Sequence, residues 1–396
     1  MLIAEGLTDR LLWAGLCVWV IGFLIASRHL SIIQSLIVVS IKVAIPIIYF
    51  AYFYDGSWNF LDDFMYAEEA ENLLKMGFNP IKVWFEPDSI KELETLANST
   101  AILYYWWNMI GMSLFGYHYY SPVLLNVILT FVNGYIIVNT AKIIGFSKQY
   151  ANLLLIFLLL HWDTITWSSF INLKDILVAN LTILYFYLIY KSLLGKEETS
   201  QHNQIYKFVF LFAGIAFLML SFNRIRSYVF YVLVLTTFIW FFHFRKVILS
   251  KTRYFFNIFI LVLLLIVGFP FIKANYEQAG IALELASIPY GMLRMILTPQ
   301  PWSIEPDFMH LYIPSLLHWL FLPLTFLGGL LLWQSSREMR LLILYLMISI
   351  MFYGSFDLLQ GPRHRIQISF IVAWIQFHAC WVLLTSVLEK SYPRRS

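Results

Sequence analysis

The stretch Asn59–Gly77 reads NFLDDFMYAEEAENLLKMG and directly follows a long apolar segment. Two adjacent carboxylates, Asp62 and Asp63, lie near its start, and Asn59 precedes them as a good helix N-cap. Gly77 is a residue that typically follows the C-terminus of a helix. The stretch therefore predicts a helix that begins near its acidic pair, where the positive end of the helix dipole favours carboxylates.

The two acids of this stretch point in different directions. At about 100° per residue, Asp62 shares one face of the predicted helix with Tyr66 and Glu69, whereas Asp63 faces a side lined by alanines. A simple interpretation is that both acids only stabilise the start of the helix. The alternative is that one of them performs chemistry, and this depends on what the rest of the chain places beside them.

Composition places the rest of the chain in a membrane. Of the 396 residues, 60% are hydrophobic and only 13% are charged, whereas soluble domains are about one-half apolar and about one-quarter charged. Apolar runs of about 20 residues recur, as helices that span a bilayer require. The net charge of +4 is small and gives no indication of a nucleic-acid partner. We predict an all-α polytopic membrane protein in a lipid bilayer.

The apolar runs predict about eleven membrane-spanning helices. In chain order the predicted spans are Leu11–Ala26, Leu30–Phe53, Tyr119–Ala141, Gln149–Trp162, Leu173–Lys191, Tyr206–Phe222, Ser227–Phe244, Tyr254–Ile272, Leu311–Trp333, Leu341–Phe356 and Gln367–Leu388. A further apolar run, Ala101–Gly116, is short and rich in Tyr and Trp. This composition is typical of a helix that lies in the membrane interface and does not span.

The distribution of charge between the loops orients these spans. Alternate loops and the C-terminal tail are rich in Lys and Arg and poor in acids, which predicts that they face the cytoplasm. The N-terminus then lies outside a cell (inner or plasma) membrane, and the C-terminus is cytoplasmic. The segments predicted to be external are Tyr54–Thr100, Asp163–Asn172, Asn223–Arg226, Lys273–His310 and Asp357–Arg365.

This topology predicts the organisation of the chain. Two N-terminal spans occupy residues 1–53, and a long external loop with the acidic pair and interfacial helices occupies residues 54–118. A core of spans (119–272), a second external loop (273–310) and the C-terminal spans with their cytoplasmic tail (311–396) follow. The sequence contains no nucleotide-binding loop and no typical metal-ligand spacing.

Polar clusters interrupt the apolar pattern on the predicted external side. They are Asp62 with Asp63, Lys174 with Asp175, Arg224 with Arg226, and Arg363 with His364 and Arg365. External arginines are disfavoured unless they have a function, although each could also pair with an acid or anchor at the interface. Cations can hold a lipid phosphate, and a carboxylate can act as general base on an acceptor hydroxyl. The combination indicates transfer of a group from a lipid phosphate.

Several motifs occur in a recognisable order. An acidic pair followed by Tyr and a small/acidic helix occupies Asp62–Ala70, an LYYW…LFG segment occupies Leu103–Gly116, and Asp175 heads a span. Arg224 follows a helix end, and Arg363–Arg365 precedes a late helix. In this order the chain resembles the class C multi-span membrane glycosyltransferases, especially the branch of protein O-mannosyltransferases and aminoarabinose transferases.

The resemblance implies a polyprenyl-phosphate-linked sugar as donor, and transfer on the non-cytoplasmic face to a glycan, lipid or protein acceptor. Asp62 would be the general base, with Asp63 and Asp175 shaping the catalytic site. The donor phosphate would be bound by Lys174, Arg224, Arg226, Arg363, His364 and Arg365. The residues expected near the acceptor or the sugar are Tyr66, Glu69, Trp106 and Trp302. The resemblance leaves open whether a divalent cation takes part.

Other functions fit the same composition. A polysaccharide polymerase or ligase would also act on lipid-linked glycans, and would depend on the arginines and on Lys273–His310 more than on Asp62. A transporter or flippase would place charged or helix-breaking residues in mid-membrane, for which Lys42 and Pro46 are candidates. A catalytically silent scaffold would leave the combination of external acids and cations unexplained.

Overall fold

The computed structural model describes residues 6–56, 62–85, 90–91, 93–95, 101–194, 201–244, 288–356 and 361–391. The chain divides into two compact units, Met1–Arg226 with Glu305–His310 and Ser227–Ile304 with Leu311–Ser396. Within the described ranges the chain is helical and forms no β-strand. The predicted span Tyr254–Ile272 and the predicted N-cap Asn59 lie outside the described residues.

The helices of the first unit run in chain order from α1 to α9. They are α1 (Asp9–Ala26), α2 (Ile32–Tyr52), α3 (Asp62–Lys75), α4 (Ile102–Phe115), α5 (Tyr120–Ile144), α6 (Lys148–Leu160), α7 (Trp162–Ser169), α8 (Asp175–Leu194) and α9 (Gln201–Asn223). Those of the second unit are α10 (Ser227–Phe244), α11 (Ile288–Leu297), α12 (Tyr312–Ser335), α13 (Arg337–Gly354) and α14 (Pro362–Ser391).

Local sequence explains where several of these helices begin. The side chains of Thr8 and Ser147 accept hydrogen bonds from the first turns of α1 and α6. At the start of α2, Ser31 and Gln34 form a reciprocal capping box. The turn after α5 needs a left-handed backbone, which Gly145 provides at φ +108°. These caps satisfy backbone groups that a bilayer core could not hydrate.

The length and composition of the helices make the chain a membrane protein. Among the described residues, six helices are long and apolar enough to cross a bilayer, and they are α1, α2, α5, α8, α12 and α14. Counting the bent pair α6–α7 as one span gives seven. Shorter apolar helices occur at Leu211–Asn223, Ser227–Phe241 and Ile288–Leu297. The predicted count of about eleven is therefore not reached within the part of the chain that the structure describes.

The break between α6 and α7 corrects two predictions. The predicted span Gln149–Trp162 ends early, because His161 has an extended backbone and the chain bends there by 46°. The predicted turn Asp163–Asn172 is wrong over most of its length, since α7 continues to Ser169. The polar side chains of this segment indicate a loop. A helix also accommodates them, because its dipole favours an acid such as Asp163 in the first turn.

A buried lysine accounts for the polar residues of α7. The ammonium of Lys42, on α2, donates to the Ser168 hydroxyl at 3.1 Å and to the Thr164 carbonyl at 3.3 Å. The Ser168 hydroxyl donates to the same carbonyl at 2.5 Å. Lys42 is fully buried. The polar side of α7 therefore faces a charged group inside the first unit, which a loop prediction from local composition could not anticipate.

Close approach of helices builds the core of the first unit. α5 packs against α1, α4, α6 and α8, and α3 packs against α4. Gly111 on α4 lies so near α5 that an added Cβ would be 2.9 Å from the Cα of Pro122. With 14 residues, α4 is shorter than the shortest typical spans of about 17 residues. Its location in the membrane interface stays a prediction.

In the second unit, the helices α12 and α14 also cross with a close backbone contact. α12 packs against α14, and α11 and α10 pack against α13. A Cβ added at Gly328 of α12 would lie 2.1 Å from the backbone oxygen of Ile375 on α14, whereas nothing lies within 4 Å of the same position at Gly329. The α12–α14 contact therefore requires a glycine at position 328.

We predict that Gly328→Ala lowers the stability of the second unit, because a methyl group there forces two backbones apart, at a cost of about 1–3 kcal/mol. Gly329→Ala is the matched control, since it gains helix propensity without a clash. Thermal unfolding in detergent micelles measures the effect. A midpoint for Gly328→Ala equal to or above that of Gly329→Ala would contradict the close contact.

Candidate functional site

Helix α3 separates its two acids into different environments. Both acids lie in the first described turn of this helix. Asp63 is completely buried, as are Ala67 and Ala70 on the same side, which packs against α4. Asp62 is half-buried. One carboxylate is thus part of the interior, and its neighbour is accessible.

The buried acid is held by a tyrosine and an asparagine. The Tyr119 hydroxyl donates to Asp63 Oδ2 at 2.5 Å, and the backbone N–H of Asn172 donates to Tyr119 Oη at 3.2 Å. The Asn172 side-chain amide donates to the backbone oxygen of Asp63 at 3.1 Å. Asn172 therefore fixes both the start of α3 and the phenol that binds its carboxylate.

Further buried amides extend this contact across α4 and α5. Tyr104 donates to Asn172 Oδ1 at 2.6 Å, and Asn172 Nδ2 donates to Asn108 Oδ1 at 2.5 Å. Asn126 Nδ2 donates to Tyr104 Oη at 3.0 Å. We call the six residues of this system the Asn172 network. They are Asp63, Tyr104, Asn108, Tyr119, Asn126 and Asn172.

The two phenols of the Asn172 network stay protonated. Burial, followed by the negative charge of Asp63, raises the pKa of Tyr119 well above its ordinary value. Burial is also the main cause of the raised pKa of Tyr104, to which the charges of Asp175 and Asp63 both contribute. The charges of two predicted catalytic carboxylates, Asp63 and Asp175, therefore both raise the pKa of the Tyr104 phenol. Tyr119 remains a hydrogen-bond donor to Asp63 throughout the physiological pH range.

The predicted phosphate ligands of the first unit have protein partners. Arg226 forms an ion pair with Asp175 at 3.1 Å, and its side chain is 9% exposed while that of Asp175 is 0% exposed. Arg224 pairs with Glu94, and both of these side chains are about 40% exposed. Lys174 donates to the Tyr66 hydroxyl at 2.7 Å. Their role as phosphate ligands stays a prediction.

Aromatic contacts place the remaining predicted residues of this unit. The ring of Tyr66 meets that of Tyr104 edge-on at 5.1 Å, which links Lys174 to the Asn172 network. The Trp106 indole donates to the Pro80 carbonyl at 2.6 Å and therefore fixes the chain that follows α3. Glu69 is half-buried on α3. Its predicted proximity to an acceptor stays a prediction.

A cavity of about 390 Å³ opens beside α3. Its lining residues are Phe64, Ala67, Glu68, Glu71, Met112, Tyr117 and Tyr119. Tyr119 both lines this cavity and donates to Asp63, so a single side chain separates the cavity from the buried carboxylate. Aromatic faces combined with carboxylates suit a polar ligand such as a sugar, since they offer stacking surface and hydrogen-bond acceptors.

The second unit contains one buried member of the predicted Arg363–Arg365 cluster. Arg365 is 5% exposed, donates to the Thr298 carbonyl at 2.5 Å and lies 3.1 Å from His318 Nε2. Arg363 and His364 are half-buried, and the His364 ring lies 5.8 Å from that of Tyr353. Trp302 is largely exposed and packs against Trp319.

An apolar groove of about 560 Å³ lies beside Arg365. It runs between α11, α12, α13 and α14, and its walls are mostly Leu, Ile, Met and aromatic side chains. Arg365, His318 and Thr325 supply polar groups among these lining residues, and none of the lining residues is acidic. Apolar side chains thus form nearly all of the groove's surface, and Arg365 is a buried cation among its lining residues.

No protein-family model, curated protein or solved structure matches the chain. Within the described ranges, no three His, Cys, Asp or Glu side chains come together in a way that could hold a metal ion. Whether a divalent cation takes part stays open. We infer function from the geometry of the acids, the cations and the two cavities.

Sequence reasoning missed most of the Asn172 network. The sequence pattern places Tyr104 in an interfacial aromatic helix and Tyr119 at the start of a span. Asn108 and Asn126 interrupt apolar runs, and an amide within an apolar helix is itself a signal for a buried polar contact. The identity of their partners could not be read, because the network joins residues up to 109 positions apart.

We predict that Tyr119→Phe destabilises the first unit by about 1–3 kcal/mol, because the buried Asp63 carboxylate loses its phenolic donor. Tyr117→Phe is the control, since Tyr117 lies two residues away and is 48% exposed; a surface change of this kind costs no more than about 0.5 kcal/mol. Thermal unfolding in detergent compares them. Equal midpoints for the two variants would show that the Tyr119 hydroxyl contributes nothing.

The two arginines that follow α9 give a second comparison. Arg226→Ala leaves the buried Asp175 without its cation and should cost about 3–5 kcal/mol. Arg224→Ala breaks only the exposed pair with Glu94, which is worth no more than about 1 kcal/mol. We expect a large drop in unfolding midpoint for the first variant and a small one for the second. The reverse order would contradict the pairing described here.

Proposed function

We propose that this chain is an integral membrane glycosyltransferase that transfers a sugar from a polyprenyl-phosphate donor to an acceptor on the non-cytoplasmic face. The observation that carries the proposal is that the two adjacent acids lie in different environments, one buried and one accessible. Asp63 is buried in the Asn172 network, and Asp62, the residue before it on the same helix, is half-buried. A rigid neighbour holds an accessible carboxylate in place, as a general base requires.

The reaction assigns one role to each group. Asp62 takes the proton of an acceptor hydroxyl as the acceptor oxygen forms a bond to the anomeric carbon of the sugar. The bond between that carbon and the phosphate oxygen breaks, and polyprenyl phosphate leaves with the electron pair. Displacement from the opposite face inverts the anomeric carbon. The proton remains on Asp62 until it is released to water.

The apolar groove of the second unit supports a lipid-linked donor. An isoprenoid chain is apolar along its length and ends in an anionic phosphate, and the groove combines apolar walls with the buried cation of Arg365. Guanidinium groups bind phosphate oxygens through charge-assisted, often bidentate hydrogen bonds. Within the second unit, Arg363 and Arg365 stay the predicted ligands of a lipid phosphate.

A transporter is the second candidate, because Lys42 is a charged residue within an apolar span beside the broken pair α6–α7. Ion and substrate pathways in transporters contain both features. Lys42 donates to the Thr164 carbonyl and to the Ser168 hydroxyl of α7, so both contacts satisfy its buried amine within the protein. A structural role thus accounts for Lys42 without a transport pathway, and we favour the transferase.

The decisive variant is Asp62→Asn, which removes the base while keeping the shape of the side chain. We predict a loss of transfer of about 10²–10⁴-fold, the usual contribution of a general base. The assay measures release of polyprenyl phosphate from labelled polyprenyl-phosphate hexoses and pentoses in membranes that contain the protein. This readout does not require the acceptor to be identified in advance.

Asp9→Asn is the matched control. Asp9 is also a first-turn acid, at the start of α1, and it tests whether any acid at a helix start has the same effect. We expect Asp9→Asn to keep full transfer and Asp62→Asn to keep the wild-type unfolding midpoint. Normal transfer by a folded Asp62→Asn protein would falsify the assignment of Asp62.

A further inference from the structure

Three basic side chains meet on one tyrosine at the ends of three candidate spans. Arg28 and His29 lie between the end of α1 and the start of α2, and Lys142 lies in the last turn of α5. His29 Nδ1 is 2.8 Å from Lys142 Nζ. The His29 ring packs on Tyr135 at 5.1 Å, and the Arg28 guanidinium lies 5.8 Å from the same ring.

The protonation state of His29 defines what this cluster offers. Burial, followed by the charges of Lys142 and Arg28, lowers the pKa of His29 to about 4. The imidazole is therefore neutral at physiological pH, and its Nδ1 accepts from the Lys142 ammonium. Its proton then lies on Nε2. That nitrogen is buried and has no hydrogen-bond partner among the described residues.

The cluster therefore combines two cations with a neutral imidazole, whose Nδ1 already accepts from Lys142. Among the described residues, neither Arg28 nor Lys142 forms an ion pair with an acid. The dipole at the end of α5 favours Lys142 there, and His29 accepts one of its hydrogen bonds, but neither interaction supplies a full negative charge for the two cations. An anion placed against the cluster would pair with its two cations, Arg28 and Lys142.

We propose that Arg28, His29 and Lys142 bind the phosphate of an anionic phospholipid. The location identifies the source of the phosphate, because α1, α2 and α5 are candidate spans and their ends lie at the depth of lipid headgroups. Tyr135 suits this depth, since tyrosines concentrate at the membrane–water interface. Basic pockets between spanning helices recognise anionic headgroups in this way. This site is independent of the transferase proposal.

The test measures binding of a fluorescent phosphatidylglycerol to the full-length protein in neutral detergent. Unlabelled phosphatidylglycerol, phosphatidylcholine and inorganic phosphate serve as competitors. We expect phosphatidylglycerol to compete at least about tenfold better than phosphatidylcholine, and inorganic phosphate to compete weakly. Equal competition by both lipids overturns the proposal. Competition by inorganic phosphate as strong as that by phosphatidylglycerol also overturns it, in favour of a site for free phosphate.

Variants locate the site on the protein. Lys142→Gln should weaken phosphatidylglycerol binding by about tenfold or more, as the loss of one charge-assisted hydrogen bond predicts, and Lys142→Arg should retain most of it. Lys191→Gln is the control, because Lys191 also lies over a tyrosine ring near the end of a span. Equal weakening by Lys142→Gln and Lys191→Gln overturns the assignment. The wild-type competition decides the question if Lys142→Gln fails to fold.

Discussion

A buried carboxylate has to be satisfied by the protein itself, because burial removes it from water. Asp63 meets this condition through the Tyr119 hydroxyl, and Asn172 holds both residues in place. The contact ties the start of α3 to α5 and to the chain before α8. The position of Asp62, the residue before Asp63, follows from that anchor, and so does the rigidity that a general base needs.

Much of this arrangement could be predicted from local sequence. Apolar runs identified a helical membrane protein, and the acidic pair identified the start of α3. Helical periodicity separated Asp62 from Asp63, and the structure buries Asp63 together with the alanines of its own side. Each of these predictions depends on residues within a few turns of one another, where geometry and composition determine the outcome directly.

Contacts between residues that are distant in the sequence could not be predicted in the same way. The polar residues of α7 suggested a turn, yet they form a helix because Lys42 of α2 hydrogen-bonds to it. The pairing of Arg226 with Asp175 could not be read from the sequence, and its predicted role as a phosphate ligand stays a prediction. Asn126 is an amide within an apolar helix and therefore indicates a buried polar contact, but the sequence does not show which residues it contacts. A polar residue in an apolar helix shows that a contact exists, but only the packing of helices decides which residues meet.

Differential labelling of the acidic pair tests the central claim most directly. A water-soluble carbodiimide and an amine nucleophile modify accessible carboxylates in the folded wild-type protein, and tandem mass spectrometry separates neighbouring positions. The account predicts rapid modification of Asp62 and protection of Asp63, because the first is half-buried and the second is enclosed with Tyr119. Equal modification of the two residues, or protection of Asp62, would contradict it.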